Sequence, residues 1–483
     1  MEKGNIIRSL LYKFTERFAV KGIGMVISIV LARLLSPEIV GQVAILEIFI
    51  SFSLIIIESG VNSSLIQSRT ADERDYATVF YLTLAIASAA ILLLELTAPL
   101  IAAYYKSPQL TVPLRICAFV LLFSSFNSIQ VARMQREMRF REMMWCNLSA
   151  SLLAGGCGIL LALRGAGLWA LVAYHFGHII VVCVLQFLVL RWVPTGRFSL
   201  ESARRLGGYG VKMLAASFIS TLYTSLRPLI IGRRFSTAEL GYYDRGQKFA
   251  STISLNLDSA VQSVMFPVLS RAQDDAEQFR TILRRMKGLG SFLIFPVMLG
   301  LAAVAEPLIV LLLKEQWLPT VPFLVLLSIG EAQVPLTSSN LVALKSLGRS
   351  DIYARQELVR RVLMIAVLAV SVFAFDTVEA IAVSFVISAW LDVWVTGLPI
   401  RKLVGYGFFD QLRDVWKSGL SALVMAGAVW ALGLLSLPKL PLLLLQIVCG
   451  AGIYALLNLA LKNESLSYVL SMLRQRRAAS RAA

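Results

Sequence analysis

The sequence predicts an all-α polytopic membrane protein with about fourteen transmembrane helices, and three observations predict it. Apolar residues make up 57% of the 483-residue chain and charged ones only 16%. That leaves too little polar surface for the roughly three soluble domains such a length would otherwise form. The apolar residues fall in continuous runs rather than strict alternation, which excludes a β-barrel. One crossing takes ~20 mostly apolar residues, so the apolar content suffices for up to about fourteen crossings.

In chain order, the predicted spans lie near residues 15–35, 41–60, 77–100, 111–132, 145–163, 167–190, 209–231, 248–268, 288–313, 320–344, 359–375, 377–399, 416–436 and 440–461. The first carries Lys21 and the seventh carries Arg227. Both read as helices by pattern but as poor insertion signals on their own. Pro228, Pro296 and Pro335 fall inside spans seven, nine and ten, where kinks are expected. The N-terminal stretch lacks the short apolar core and small-residue cleavage site of a secretory signal.

The net charge is +17. With the N-terminus inside, 35 of the 46 Lys and Arg fall in inner segments and 9 in outer ones, with Arg115 and Arg227 inside spans. This bias of nearly four to one follows the positive-inside rule. It puts both termini in the cytoplasm and requires an even number of spans. The basic excess is therefore topology, and nucleic acid is excluded as a partner. One outer loop departs from the rule. The connection between spans seven and eight holds Arg233, Arg234, Arg245 and Lys248, which reads either as a tolerated exception or as a basic vestibule for an anion.

The two halves of the chain resemble each other. Arg33-Leu-Leu-Ser-Pro-Glu-Ile-Val-Gly41 matches Arg233-Arg-Phe-Ser-Thr-Ala-Glu-Leu-Gly241 at an offset of two hundred residues. Ala98-Pro-Leu-Ile101 with Lys106 matches Glu306-Pro-Leu-Ile309 with Lys314, and Pro113 and Pro322 follow at nearly the same spacing. Six spans per repeat is an even number, so the repeats enter the membrane in the same sense. Parallel repeats are a transporter architecture. The expected organisation is two parallel six-helix lobes, 1–195 and 200–400, followed by two additional C-terminal helices and a basic cytoplasmic tail in 401–483, with a substrate cleft between the lobes.

Several segments carry a family resemblance. They are Ala32-Arg-Leu-Leu-Ser-Pro-Glu-Ile-Val-Gly41, Glu58-Ser-Gly60 with Leu65-Ile-Gln67, Gln135-Arg-Glu-Met-Arg-Phe-Arg141, Leu226-Arg-Pro-Leu-Ile-Ile-Gly-Arg233, Leu240-Gly-Tyr-Tyr-Asp-Arg-Gly246 and Phe266-Pro-Val-Leu-Ser270. With the fourteen-span plan, they resemble the Wzx-type (WzxC-like) bacterial oligosaccharide flippases, the polysaccharide-transport branch of the multidrug/oligosaccharidyl-lipid/polysaccharide superfamily. The likeness covers most of residues 10–400. It implies flipping of an undecaprenyl-diphosphate-linked oligosaccharide, a polysaccharide or lipopolysaccharide repeat unit, from the cytoplasmic to the periplasmic leaflet of the inner membrane. Contact with a polysaccharide polymerase is a candidate partnership. Where many members of the branch carry an acid before the Ile-Ile-Gly element, this chain has Arg227, so no coupling acid is carried over to that position.

Ionisable residues inside spans are functional candidates because burying them is costly. Lys21, Arg115, Arg227 and Arg245 form the expected cationic lining of a substrate cavity, since an Arg fork binds phosphate oxygens in pairs. The competing reading is that the side chains snorkel to the headgroups. Glu47, Asp258, Glu331 and Asp392 are candidate sites for a coupling H+ or Na+, or else neutralise the arginines. His175 and His178 lie one turn apart, with no other histidine in the chain and no nearby acid in the sequence, so no metal site is expected. The five cysteines form no CxxC pair. No catalytic set, phosphate-binding Gly-rich loop or cofactor motif is present, and the chain is expected not to be an enzyme.

Three other functions compete with the resemblance. A lipid II flippase of the same superfamily differs little in sequence signature. A drug/cation antiporter wants acids in its cavity, and the first lobe offers Lys21 and Arg115. A membrane glycosyltransferase or polymerase normally needs a sizeable loop, and the longest here is about 20 residues. The topology has a direct test. Reporter fusions after Lys462 and near Lys106 should read cytoplasmic and periplasmic respectively, and two fusions on the same side would break the repeat argument.

Overall fold

A computed structural model describes the backbone of residues 3–59, 65, 72–468 and 471, and the side chains among them except those of 3–18, 58–59, 206–213 and 216. Gly60 and Ile66-Gln67 of the motif, Arg69, and the tail arginines 474, 476, 477 and 481 lie outside the described residues. So do the side chains of Lys3, Arg8, Lys13, Arg17 and Lys212. Every regular element among the described residues is helical. In hydrocarbon no water can take up backbone N–H and C=O groups, so each segment must satisfy its own.

The chain separates into two compact units, Met1–Gly241 and Tyr242–Ala483. The first holds α1 (Lys3–Leu34), α2 (Pro37–Ser59), α3 (Glu73–Tyr104), α4 (Thr111–Ala118), α5 (Val120–Arg136), α6 (Phe140–Leu163), α7 (Leu168–Leu190) and α8 (Leu200–Arg234). α9 (Thr237–Arg271) begins there and continues into the second unit. The second also holds α10 (Ala276–Ala303), α11 (Ala305–Leu313), α12 (Thr320–Glu331), α13 (Val334–Ser346), α14 (Ser350–Ala374), α15 (Val378–Val404), α16 (Phe408–Leu432) and α17 (Lys439–Ala460).

Ten helices among the described residues are long and apolar enough to cross a membrane. They include the broken pairs α4–α5 and α12–α13, each counted as one crossing. Four other long helices, α1, α8, α9 and α14, are not among them. Pro228 and Pro296 lie within unbroken helices, whereas Pro335 falls in the first turn of α13, immediately after the α12–α13 break.

Large apolar residues fill the core, as Leu31, Ile45, Leu46 and Trp317 do, and others cover the outer faces as well. Leu92 and Leu96 of α3 and Val448 and Leu456 of α17 are about two-thirds exposed, apolar faces that fit lipid better than water. Small residues mark the close helix contacts. On α6, Ala150, Ala154 and Gly158 form one stripe. A Cβ on Gly158 would lie 2.9 Å from the Ala170 carbonyl oxygen of α7, and one on Gly155 would lie 2.2 Å from Ile27 of α1. Absent side chains thus set how close α1, α6 and α7 come.

The sequence repeat has local structural counterparts. Leu35 N–H donates to the Leu31 carbonyl and Phe235 N–H to Ile231, both at 3.0 Å, ending α1 and α8 alike. Lys106 and Lys314 both take a positive φ, 52° and 75°, after a helix, and a 3-10 turn and a broken span follow each. Gly41 and Gly241 meet reciprocally. A Cβ on Gly41 would lie 1.8 Å from the Thr237 carbonyl oxygen, and one on Gly241 would lie 2.1 Å from the Pro37 carbonyl oxygen. α8, expected from the sequence to open the second lobe, packs on α2 and α3 within the first unit.

Backbone carbonyls cannot move aside as side-chain tips can. Gly41→Ala and Gly241→Ala should each cost about 2–3 kcal/mol, read as a lower melting temperature in detergent. Gly156→Ala meets nothing within 4 Å and should be neutral or slightly stabilising. Equal melting of all three variants would remove the close crossing.

Candidate functional site

A cleft of about 740 Å³ opens between α2, α3 and the end of α8. Its walls are apolar and aromatic, with Phe49, Leu100, Tyr104 and Leu229 among the lining, and Arg233 and Arg234 stand at one end. The guanidinium of Arg233 lies 4.7 Å from the centre of the Tyr104 ring. Tyr105 is buried edge-on against Phe49, with ring centres 6.1 Å apart. Sequence reasoning placed Arg233 and Arg234 in a loop, but they are the last two residues of α8, where the helix dipole favours cations. Arg245 and Lys248, assigned to the same loop, lie in α9.

The four cations predicted to line a cavity have different settings. Lys21 is exposed on α1. Arg115 lies on the short α4 with its Nε 3.3 Å from Glu95 of α3, both side chains partly exposed. Arg227 is 4% exposed. Its Nη1 donates to the Tyr223 hydroxyl at 3.2 Å, and its guanidinium sits 5.7 Å from the same ring. Arg245 is also buried, in the second unit. The residues lining the α2–α3–α8 cleft include none of Lys21, Arg115 or Arg227.

The four acids also separate. Glu47 of α2 lies 3.0 Å from Nδ1 of His175 on α7. The acid that the sequence did not place near the histidine pair is therefore supplied by another helix. No group of three or more metal-ligating side chains occurs among the described residues. Asp392 is ion-paired with Arg360 of α14, its Oδ2 accepting at 2.5 Å. Arg360 also meets Glu357 at 2.8 Å.

Asp258 of α9 and Glu331 of α12 form a different set. Asp258 accepts from the Ser338 hydroxyl at 2.7 Å and from the Gln262 amide. Glu331 accepts from the Ser254 hydroxyl at 2.5 Å. Both are buried, and Ser254, the partner of Glu331, lies one turn before Asp258 on α9. No Lys or Arg pairs with either among the described residues.

The most buried Lys or Arg among the described residues, Lys287, is not one of the candidates read from the sequence. Lys287 falls just outside the predicted ninth span, 288–313, yet it lies about three turns into α10 and is fully buried. Its ammonium donates to Asn340 Oδ1 at 2.5 Å and lies 5.3 Å from the centre of the Tyr406 ring. Its signal in the sequence was slight, because the apolar run was taken to begin at Gly288.

The fold matches solved transporters. The inward closed structure of the lipid II flippase MurJ aligns over 93% of this chain and 98% of its own, with a TM-score of 0.75 at 15% identity. An inward-facing multidrug resistance MATE family transporter of the MOP superfamily aligns over 82% of this chain and 98% of its own, at 0.62 and 13%. In sequence, the chain is 27% identical to the succinoglycan biosynthesis transport protein ExoT of Rhizobium meliloti (strain 1021), over 98% of this chain and 96% of that protein. That likeness continues beyond residue 400, where the motif resemblance fades. The lipopolysaccharide biosynthesis protein WzxC of Escherichia coli (strain K12) is 24% identical over 64% of this chain and 63% of its own length. Residues 30–322 match the family described as polysaccharide biosynthesis protein, and with more than half of its length inside that match the chain belongs to this family of integral membrane proteins.

Proposed function

We propose that the protein flips an undecaprenyl-diphosphate-linked oligosaccharide from the cytoplasmic to the periplasmic leaflet of the bacterial inner membrane by alternating access. On this reading both termini are cytoplasmic, and α1, α8, α9 and α14 cross the membrane with the ten more apolar helices, making fourteen. The observation that carries the reading is the α2–α3–α8 cleft, which joins an apolar, aromatic wall to two guanidiniums at one end. An isoprenoid chain needs the first and a diphosphate the second. A cationic drug would want a carboxylate there, and the lining contains none among the described residues. Lipid II carries the same two chemical parts and remains the nearest alternative, as the likeness to MurJ suggests.

The proposed movement does not require a nucleotide. A diphosphate carries about two negative charges, and an inside-negative potential is worth ~2.3 kcal/mol per charge per 100 mV. Outward movement of the anion is downhill by up to about 4–5 kcal/mol. The protein then needs only to make the charged intermediate tolerable. Arginine does so because it stays charged at any cellular pH.

Flipping in reconstituted vesicles under an imposed potential tests the site. Arg233→Gln with Arg234→Gln should slow flipping about tenfold, a 1.4 kcal/mol effect, at equal protein level, and the Lys pair should lie between. The buried Arg227 should behave likewise, with Arg227→Ala slower than Arg227→Lys. Wild-type rates in these variants would leave the arginines as membrane anchors. Accumulation in a deletion strain of lipid-linked polysaccharide repeat units, rather than lipid II, separates the two substrates.

The Asp258–Glu331 pair is our candidate for the coupling ion, in preference to Asp392, whose charge is matched by Arg360. Asp258→Asn with Glu331→Gln should abolish any acceleration by an imposed H+ or Na+ gradient while leaving flipping driven by the potential. Unchanged gradient dependence would reassign the pair to packing.

A further inference from the structure

A second cavity, of about 600 Å³, lies in the second unit between the first turns of α10 and α16 and the segment that follows α17. Four cations line it, Arg284, Arg285, Arg413 and Lys417, against two carboxylates, Asp414 and Glu464. Asp414 is already engaged. It takes both prongs of Arg284 at 2.7 and 2.6 Å and the Tyr406 hydroxyl at 2.7 Å. Tyr406 stays protonated as that donor, because burial and then the Asp414 carboxylate push its phenol well above the ordinary range. Arg285 and Arg413 are exposed, with no hydrogen bond or ion pair among the described residues. The cavity therefore offers net positive charge on a frame that the Arg284–Asp414–Tyr406 contacts already hold in place.

What surrounds the charge identifies the ligand class. At a spacing of four residues, α10 runs from Arg285 to Leu289, Leu293 and Val297, and the last two are exposed. At a spacing of three or four, α16 runs from Arg413 to Trp416, Leu420 and Leu423, all exposed. Each helix thus carries a guanidinium at the cavity and an apolar face leading away from it, with an interfacial Trp on α16. A free anion would use the charge alone, whereas an amphiphile uses both. Basic pockets between helices on the cytoplasmic side are where acidic headgroups bind.

We propose that this cavity binds the phosphate headgroup of an anionic phospholipid from the cytoplasmic leaflet, with its acyl chains along the exposed faces of α10 and α16. The cytoplasmic placement rests on the topology proposed above. The ligand is a resident lipid, distinct from the transported one.

Purified full-length protein, placed in nanodiscs of phosphatidylcholine with a graded fraction of phosphatidylglycerol, would be assayed by native mass spectrometry for retained lipid. Phosphatidylglycerol should be retained over phosphatidylcholine. Arg285→Gln or Arg413→Gln should each weaken retention about fivefold, which corresponds to ~1 kcal/mol per charge near the surface. The Arg285→Lys, Arg413→Lys variant should keep most of it, which guards against a folding defect. Retention in the double Gln variant equal to wild type would overturn the proposal. So would inorganic phosphate binding as tightly as the lipid, which would make this a free-anion site. Displacement of phosphatidylglycerol by equimolar undecaprenyl diphosphate would also overturn it and give the cavity to the substrate. Absence of flipping by the wild type would sink the proposed function but leave lipid retention intact, so the two failures are distinguishable.

Discussion

In hydrocarbon there is no water to solvate a stray polar group, so each one must be satisfied by the chain itself. The backbone answers by being helical, and the side chains answer by pairing across helices. At one end of the first unit, Asp75 takes Arg205 Nη2 at 2.6 and 2.5 Å, Glu73 takes Arg133 at 2.8 Å and the Trp192 indole at 3.0 Å, and the Thr78 hydroxyl accepts from the Ser199 N–H at 3.0 Å. These contacts tie the start of α3 to the end of α5 and to the segment leading into α8. Of these charges only Asp75 is buried, so removing Arg205 would leave its carboxylate uncompensated, whereas Glu73 and Arg205 are half exposed and keep access to solvent at the helix ends. The network therefore fixes which helices are neighbours more than it adds stability.

The same constraint explains how the repeat works. Helix ends are where unsatisfied carbonyls accumulate, so corresponding ends tend to need similar solutions. Lys106 and Lys314 both enter the left-handed region at a helix end, a position where glycine would be cheaper. A lysine there keeps a cation beside the free carbonyls. The pattern was visible as aligned letters in the two halves, but the backbone conformation it encodes was not. The Gly41–Gly241 crossing is similar. Both glycines stood in the aligned motifs, yet nothing in the letters said that each one would lie against the other's helix start.

Helix existence was legible because a hydropathy window reads one helix at a time, and the Lys/Arg distribution gave an orientation by the same local means. Pairing was not legible, because it depends on which helix faces which. Glu47 and His175 come from α2 and α7, Arg360 and Asp392 from α14 and α15, and Lys287 and Asn340 from α10 and α13. Hydropathy also misplaces charges near a span's edge. Lys287 counted as a loop residue because one cation ends an apolar window, although the helix continues past it and the ammonium finds an amide and an aromatic ring inside.

These pairings sort the cations by what they are able to do. Arg360 and Arg284 each hold a carboxylate in a fork, and a guanidinium so engaged would have to surrender a charge-assisted bond to take up a phosphate. Arg233 instead lies over the face of Tyr104. A ring occupies the flat side of the guanidinium, an attraction of about 0.5–2 kcal/mol, and leaves its N–H edge available to an oxygen ligand. The proposed function would need that difference, since a site that holds an anion too tightly cannot release it on the far side of the membrane. On the proposed function, Arg233 above an apolar wall meets both demands: its charge would draw a diphosphate, the Tyr104 ring holds the side chain in position, and no carboxylate stands among the described residues that line the cleft.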